Sequence, residues 1–256
     1  MISIVLIGTG NVARHLFDTF RLCPETKVVQ VLGRHEKNLD YFREFSGTSS
    51  DFKKLLPADL YIIAVNDDAI PSVSQLITDK NGIVVHTSGS ISMDELSHHD
   101  HRGVFYPLQT FSEERKIDFK KVPICLESKQ KEDLELLKRL AHLLSDHVYE
   151  ISSEQRKSLH LAAVFASNFT NHLYHIGNTI CRENQISFDI LKPLILETAH
   201  KIEDLSPHDA QTGPAKRGDK RTMKKHMEEL GDSGHKEIYM LLSRSIEKEY
   251  HKEGKN

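Results

Sequence analysis

The chain has 256 residues and a mass of 29.2 kDa, with 38% hydrophobic and 28% charged residues. These are the proportions of a globular protein of one large or two smaller domains, not of a disordered or collagenous one. With 34 basic and 37 acidic side chains the net charge is −3, which supplies no positive field for nucleic acid or an anionic membrane. The apolar runs stop at strand length, short of the roughly 20 residues of a membrane helix. Three scattered cysteines, Cys23, Cys125 and Cys181, form no CxxC pair, so neither a disulfide framework nor a thiolate metal site is expected. The N-terminus lacks the basic stretch and cleavage site of a secretory signal. A cytoplasmic protein with neither nucleic-acid nor membrane partners is the expectation.

The first half alternates strand and helix signals. Ile2 to Ile7 is a β-branched, apolar run suited to a strand buried on both faces. It leads into Gly8-Thr9-Gly10-Asn11-Val12-Ala13, after which Val12, Leu16, Phe17 and Phe20 recur at helical spacing. Further strands are expected at Lys27–Leu32, Leu60–Val65, Gly82–His86, Gly103–Tyr106, Val122–Leu126 and His147–Ile151. A short helix is expected over Asp68–Thr78 with Pro71 in its first turn, and an amphipathic one over Lys131–Leu144. Strands separated by helices imply βαβ units and a mostly parallel sheet. From Ser152, where Ser152 and Gln155 suit a capping box, only helices are expected: one to about Glu183, then Phe188–Leu205, Asp219–Leu230 and Gly234–Tyr250. The expected organisation is thus an α/β domain, 1–151, followed by an all-helical domain, 152–256. The tail from His251 to Asn256 is polar and is expected to fray.

Gly8-x-Gly10-x-x-Ala13 follows a strand and opens a helix. In that setting the first glycine allows a tight turn, the second admits a pyrophosphate, and the small third residue lets helix and sheet pack closely. The helix N-terminus then presents free amides to the phosphates, so Gly8, Thr9, Gly10, Asn11 and Val12 are expected to bind a dinucleotide. A purely structural tight turn is the alternative. At the end of the second strand, where an NAD enzyme places an acid on the ribose, stand Gly33 and Arg34. A guanidinium there suits a 2′-phosphate, so NADP is expected over NAD; a solvated loop arginine is the other reading. Val65 and Asn66, at the end of the Leu60 strand, should border the cofactor, unless Asn66 only caps the next helix.

Other residues suit a substrate. Ser88 and Gly89, in His86-Thr87-Ser88-Gly89-Ser90, and Gln109, after Pro107, are expected at the carboxyl edge of the sheet, though ordinary loop packing accounts for both stretches as well. On the helix from Ser158 to His175, His160, Val164, Ser167, Asn168 and Asn171 form a polar stripe. An imidazole titrates near neutrality in water and suits proton donation. His160 is therefore the expected proton donor and Asn168 a holder of a substrate oxygen, against a reading of both as satisfied core polar groups. Arg217 could clamp an anionic substrate while Asp219 caps the following helix. The histidine-rich His98-His99-Asp100-His101 reads as a surface loop without four well-placed ligands, and no metal is expected.

Taken in order, Gly8 to Ala13, His86 to Ser90, Tyr106-Pro107-Leu108-Gln109-Thr110-Phe111, Leu161 to Asn168, and Gly213-Pro214 with Arg217 and Asp219 resemble a known family. These are the Rossmann-like NAD(P)-binding oxidoreductases whose helical C-terminal domain is of unknown function. That family is similar in architecture to 6-phosphogluconate dehydrogenase, ketopantoate reductase and pyrroline-5-carboxylate reductase. The resemblance implies NADP held by the N-terminal domain, a small substrate held against the helical domain, and a homodimer. Residues and resemblance together lead to the expectation of a reductase that moves a hydride to a small, carboxylate-bearing oxo or imine substrate, with Ser88 and Asn168 positioning it, Arg217 on its carboxylate and His160 as proton donor. The lysine that ketopantoate reductases carry on the first long helix of the second domain has no match here; Lys157 lies three residues before His160. A non-catalytic NADP-binding sensor or scaffold is the alternative from another class.

Overall fold

The computed structural model describes residues 1–78 and 81–251; the expected fraying tail lies outside the described residues from 252 on. Eight strands form one sheet: β1 (Ile2–Ile7), β2 (Thr26–Leu32), β3 (Gly47–Ser49), β4 (Leu60–Ile63), β5 (Ile83–His86), β6 (Arg102–Pro107), β7 (Ile124–Ser128) and β8 (Val148–Glu150). Their spatial order is β3-β2-β1-β4-β5-β6-β7-β8. All neighbours pair in parallel except β6 and β7, which are antiparallel. Chain order reverses between β1 and β4. Ligands of open α/β sheets bind beyond the carboxyl ends of strands at such a switch point.

The buried strands are apolar on both faces because each face is covered. On one side Leu16, Phe17 and Phe20 of α1 (Asn11–Leu22) pack with Ile4, Leu6 and Val31, while Val5, Ile63 and Val84 join Ile70 and Leu96 on the other. Helix α2 (Glu36–Leu39) is a single turn after β2. The helix expected over Asp68–Thr78 is a 3₁₀ turn, Asp67–Ala69, followed by α3 (Ile70–Ser74). It stops early because the Leu76 and Ile77 amides turn back to Val73 and Ser74, three residues behind them, which tightens the last turn. The Leu60 strand ends at Ile63 instead of Val65. Strand β3 was not expected at all: Gly47-Thr48-Ser49 has no apolar periodicity and is held by its pairing with β2.

Helix α4 (Lys131–Leu144) packs Leu137, Leu140 and Ala141 on the sheet. Beyond β8 the chain is helical, as expected from Ser152: α5 (Ser153–Ala163), a π-helical turn (Val164–Phe169), α6 (Thr170–Glu183), a 3₁₀ turn (Phe188–Leu191) and α7 (Lys192–Asp204). There follow α8 (Pro207–Ala210), α9 (Pro214–Arg217), α10 (Lys220–Glu229) and α11 (Gly234–Tyr250). The Ser152–Gln155 capping box is formed in both directions. The compact units divide elsewhere: the first is Met1–Asn168 and the second begins at Phe169. Helix α5 thus belongs to the first unit, where Arg156 is fully buried. In the second unit the buried apolar side chains among the described residues are Cys181, Ala215 and Met223. Among the described residues no helix is long and apolar enough to cross a membrane.

Candidate active site

The loop after β1 is built for a close backbone approach. Gly8 has φ +128°, and a Cβ there would lie 2.0 Å from the Ala64 carbonyl oxygen of the neighbouring strand's end, so only glycine fits. The Gly8 amide donates to Leu32 O at 2.8 Å and the Ala64 amide to Ile7 O at 2.7 Å, pinning the loop to β2 and β4. Gly10 is different. A Cβ there would meet nothing within 4 Å, so the space in front of it is open on the side where α1 begins. Helix α1 starts at Gly10 with no side-chain cap and no acid in its first turn, which leaves its amides and positive dipole end for an anion. These residues fit a dinucleotide pyrophosphate. Thr9 packs against Gly33, where any Cβ would lie 2.5 Å from its methyl carbon. The Asn11 side chain donates one N–H to Phe111 O at 3.0 Å, which ties it to that segment, and its backbone amide stands at the start of α1. Val12 packs half-buried against the core.

At the end of β2, Arg34 is exposed and makes no hydrogen bond or ion pair among the described residues. Glu36 is the nearby acid, and it is engaged. It accepts from Ser50 Oγ and from the Arg43 guanidinium, both at 2.6 Å, and the Ser50 bond, then Arg43, holds its carboxyl below the usual range. Val65 is half-buried and Asn66 exposed beyond β4; the Asn66 side chain does not cap the turn that follows.

The loop after β5 is fixed from beneath by Arg156, a residue with no sequence signal beyond its place in a polar first turn. Its Nε donates to Ser88 O at 3.1 Å, one terminal nitrogen to Ile91 O at 2.5 Å and Ser153 Oγ at 3.1 Å, and the other to Glu127. Ser88 Oγ in turn accepts from the Ser90 and Ile91 amides, both at 3.1 Å, and lies 3.3 Å from Ser90 Oγ, which donates to Asp67. Because Ser90 gives its proton to a carboxylate, Ser88 gives its own to Ser90. The Ser88 hydroxyl is therefore committed to the loop, and the side chain is buried; in place of the substrate contact expected of it, it shapes the turn.

His86, at the start of this loop, is fully buried, and its Nδ1 accepts from the Ser88 amide at 3.2 Å. Burial, then the neighbouring Arg156 charge, pushes its pKa down from 6.5 to about 4. Unfolding frees the ring to bind a proton near 6.5, so the unfolded state is favoured as pH falls through that window and the stabilisation is intact only above it. Urea titrations from pH 7 to 4 should lose about 3 kcal/mol to this group, and His86→Gln should flatten that part of the profile. An unchanged slope in the variant would refute the assignment.

Against this loop stands His160. Tyr106 Oη lies 3.1 Å from His160 Nδ1, with the rings edge-on at 72°. Burial, above all, pushes the Tyr106 hydroxyl up to about 12, so it stays protonated at physiological pH. Gly89 closes the third side. A Cβ on it would lie 2.6 Å from His160 Nδ1 and 2.8 Å from Tyr106 Cζ, so Gly89 serves as the gap into which the pair fits. The π turn carries Asn168, which is exposed. In a regular helix a spacing of eight residues is offset around the axis; one residue accommodated in the wider turn makes it equivalent to seven, two turns on one face.

Gln109 is exposed and its Oε1 accepts from the Thr110 amide at 2.8 Å, leaving its amide nitrogen free to donate. The segment beyond it lies across the start of α1. His15 Nε2 bonds Ser112 O at 2.9 Å, Arg14 pairs with Glu113, and Phe111 lies 5.1 Å from the His15 ring. Arg217 lies in the second unit, exposed, with no ion-pair partner among the described residues, while Asp219 caps α10 through Thr222. The histidine cluster is tied into the fold: His99 Nε2 bonds Ser74 O and His101 Nδ1 bonds Asp133. Among the described residues no group of His, Cys, Asp and Glu is placed to hold a metal ion.

A Rossmann-type sheet with an open phosphate loop, followed by helices, defines the class. The domain of unknown function DUF2520 matches residues 122–246. BF3122 from Bacteroides fragilis, provisionally named an NADP oxidoreductase, is 40% identical over 96% of this chain and 98% of its own, with a TM-score of 0.89. The chain belongs to the same family, the Rossmann-like NAD(P)-binding oxidoreductases with a helical C-terminal domain of unknown function. More distant structures share the fold alone. A 1-pyrroline-5-carboxylate reductase from Streptococcus pyogenes is 15% identical over 96% of this chain and 98% of its own, TM-score 0.67. An imine reductase from Myxococcus stipitatus, solved with NADP+, is 12% identical over 98% and 93%, TM-score 0.65. No curated protein matches the chain.

Proposed function

We propose that this protein is an NADPH-dependent reductase acting on the C=O or C=N carbon of a small, carboxylate-bearing substrate. One juxtaposition carries the reading. The open phosphate loop after β1 and the His160–Tyr106 pair beside Gly89 lie at the same carboxyl edge of the sheet. Bound NADPH supplies the hydride. Gly8, Thr9, Gly10 and the backbone of Asn11 and Val12 hold the pyrophosphate, with Gly33, Val65 and Asn66 bordering it, and Arg34 holds the 2′-phosphate. His160 gives the reduced oxygen or nitrogen its proton, and Asn168 and Gln109 orient the substrate by hydrogen bonds. The names of BF3122, the reductase of Streptococcus pyogenes and the imine reductase support the same class of reaction.

Arg34 gives the first test. A bidentate, charge-assisted contact to a phosphate contributes about 1.5–3 kcal/mol, so Arg34→Ala should weaken NADPH about tenfold to a hundredfold in a binding titration while leaving NADH unchanged. An unaltered NADPH/NADH ratio would remove Arg34 from the site.

The second unit supports a homodimer. Ile190, Leu194 and Leu241 are 69%, 62% and 70% exposed, and Leu196 and Ile202 are open as well. Exposed apolar surface of this extent on a unit with so few buried side chains calls for a partner, and a second copy presents the same faces. Equilibrium sedimentation should give twice the chain mass; a monomer at micromolar concentration would contradict it.

A further inference from the structure

We infer that Tyr106 is a positioning residue for His160, which with Gly89 closes off Nδ1 and confines proton exchange with a substrate to Nε2. This rests on the reductase reading for its consequence, but its geometry is independent of it. Tyr106 sits at the end of β6, buried, with its hydroxyl 3.1 Å from Nδ1. The Gly89 backbone stands so close to the same nitrogen that even a methyl group would fall at 2.6 Å, which leaves no room for a substrate atom or water on that side. The hydroxyl serves both ring states. It accepts from Nδ1–H in the neutral ring and in the imidazolium alike, so Nδ1 keeps its proton while Nε2 gives one to the substrate and takes one back. Tyr106 is itself fixed, because β6 is paired on both sides, with Val104 opposite His86 and Tyr106 opposite Cys125.

The tautomer is readable without turnover. In ¹⁵N-histidine spectra of the full-length protein, at a pH where its rings are neutral, the His160 signals are identified by their loss in His160→Gln. The wild type should show a protonated Nδ1 and an unprotonated Nε2; Tyr106→Phe should move both signals toward the tautomer average. Gly89→Ala, which pushes the imidazole away from the phenol, should do the same. Once a substrate is found, Tyr106→Phe should also lower kcat about tenfold, as befits one hydrogen bond, with unchanged NADPH affinity. Tautomer signals unaltered in both variants, or a wild-type ring protonated on Nε2, would overturn the inference. His160→Gln retaining full turnover would instead sink the reductase reading, and the spectra would still decide the role of Tyr106.

Discussion

Replacing His160 by glutamine should lower kcat by about 10²–10⁴-fold, the usual contribution of a positioned proton donor, while NADPH binds as before. The separation follows from where the residues stand. The phosphate loop, Arg34 and the residues beyond β4 are held by β1, β2 and β4, whereas His160 is carried on α5 and touches Tyr106 on β6 and the loop after β5. Glutamine keeps a donor of similar length but cannot deliver a proton. Turnover of any reduced substrate, followed by loss of nicotinamide absorbance, checks the first half, and a binding titration of the variant checks the second. If the variant turns over normally, the proton comes from elsewhere and the His160–Tyr106 pair is structural.

Arg156→Met should cost about 3–5 kcal/mol, a large share of the 5–15 kcal/mol that holds a typical domain together. The Arg156 side chain is fully buried, and it satisfies two carbonyls of the loop after β5, Ser153 and the Glu127 carboxylate at once. Methionine fills much of the volume but strands Glu127, whose side chain is only 16% exposed. Lysine should not rescue, since three donors on a point charge cannot copy a planar fork. Urea unfolding at pH 7 measures the loss, and a change below about 1 kcal/mol would show that the loop holds itself. The variant should also lose activity beyond its loss of stability, because Ser88 and Gly89 set the space in which His160 sits.

The difference between these two residues shows what the sequence discloses. His160 stands out because a polar group on an apolar helix needs a partner, and the sheet was legible because strands buried on both faces are short apolar runs rich in β-branched residues. Arg156 did not stand out. Glu154-Gln155-Arg156-Lys157 reads as a solvated first turn, and its partners Ser88, Ile91 and Glu127 lie far away in sequence. Tyr106 was visible only as part of a resembling motif, since a tyrosine in a strand is ordinary. His160 and Asn168 were placed on one polar stripe from the sequence, but the π turn between them, Val164–Phe169, leaves the apolar pattern nearly unchanged and emerges only in three dimensions. Glycine spacing pointed to the phosphate loop, and a place at the carboxyl edge of the sheet put Ser88 and Gly89 forward for a substrate; in the structure the Ser88 hydroxyl is bonded within the turn and Gly89 packs against His160. Loop hydroxyls and glycines are ambiguous because local hydrogen bonds compete for them.

A nicotinamide dinucleotide in the open loop after β1, with Arg34 on its 2′-phosphate, is tested most directly by binding. The chain has no tryptophan, so nicotinamide emission can be followed against a low background as purified protein is titrated with NADPH and with NADH. Saturable binding of NADPH at micromolar concentration or below, with NADH weaker, is the predicted result; no binding of either nucleotide in that range would contradict the account.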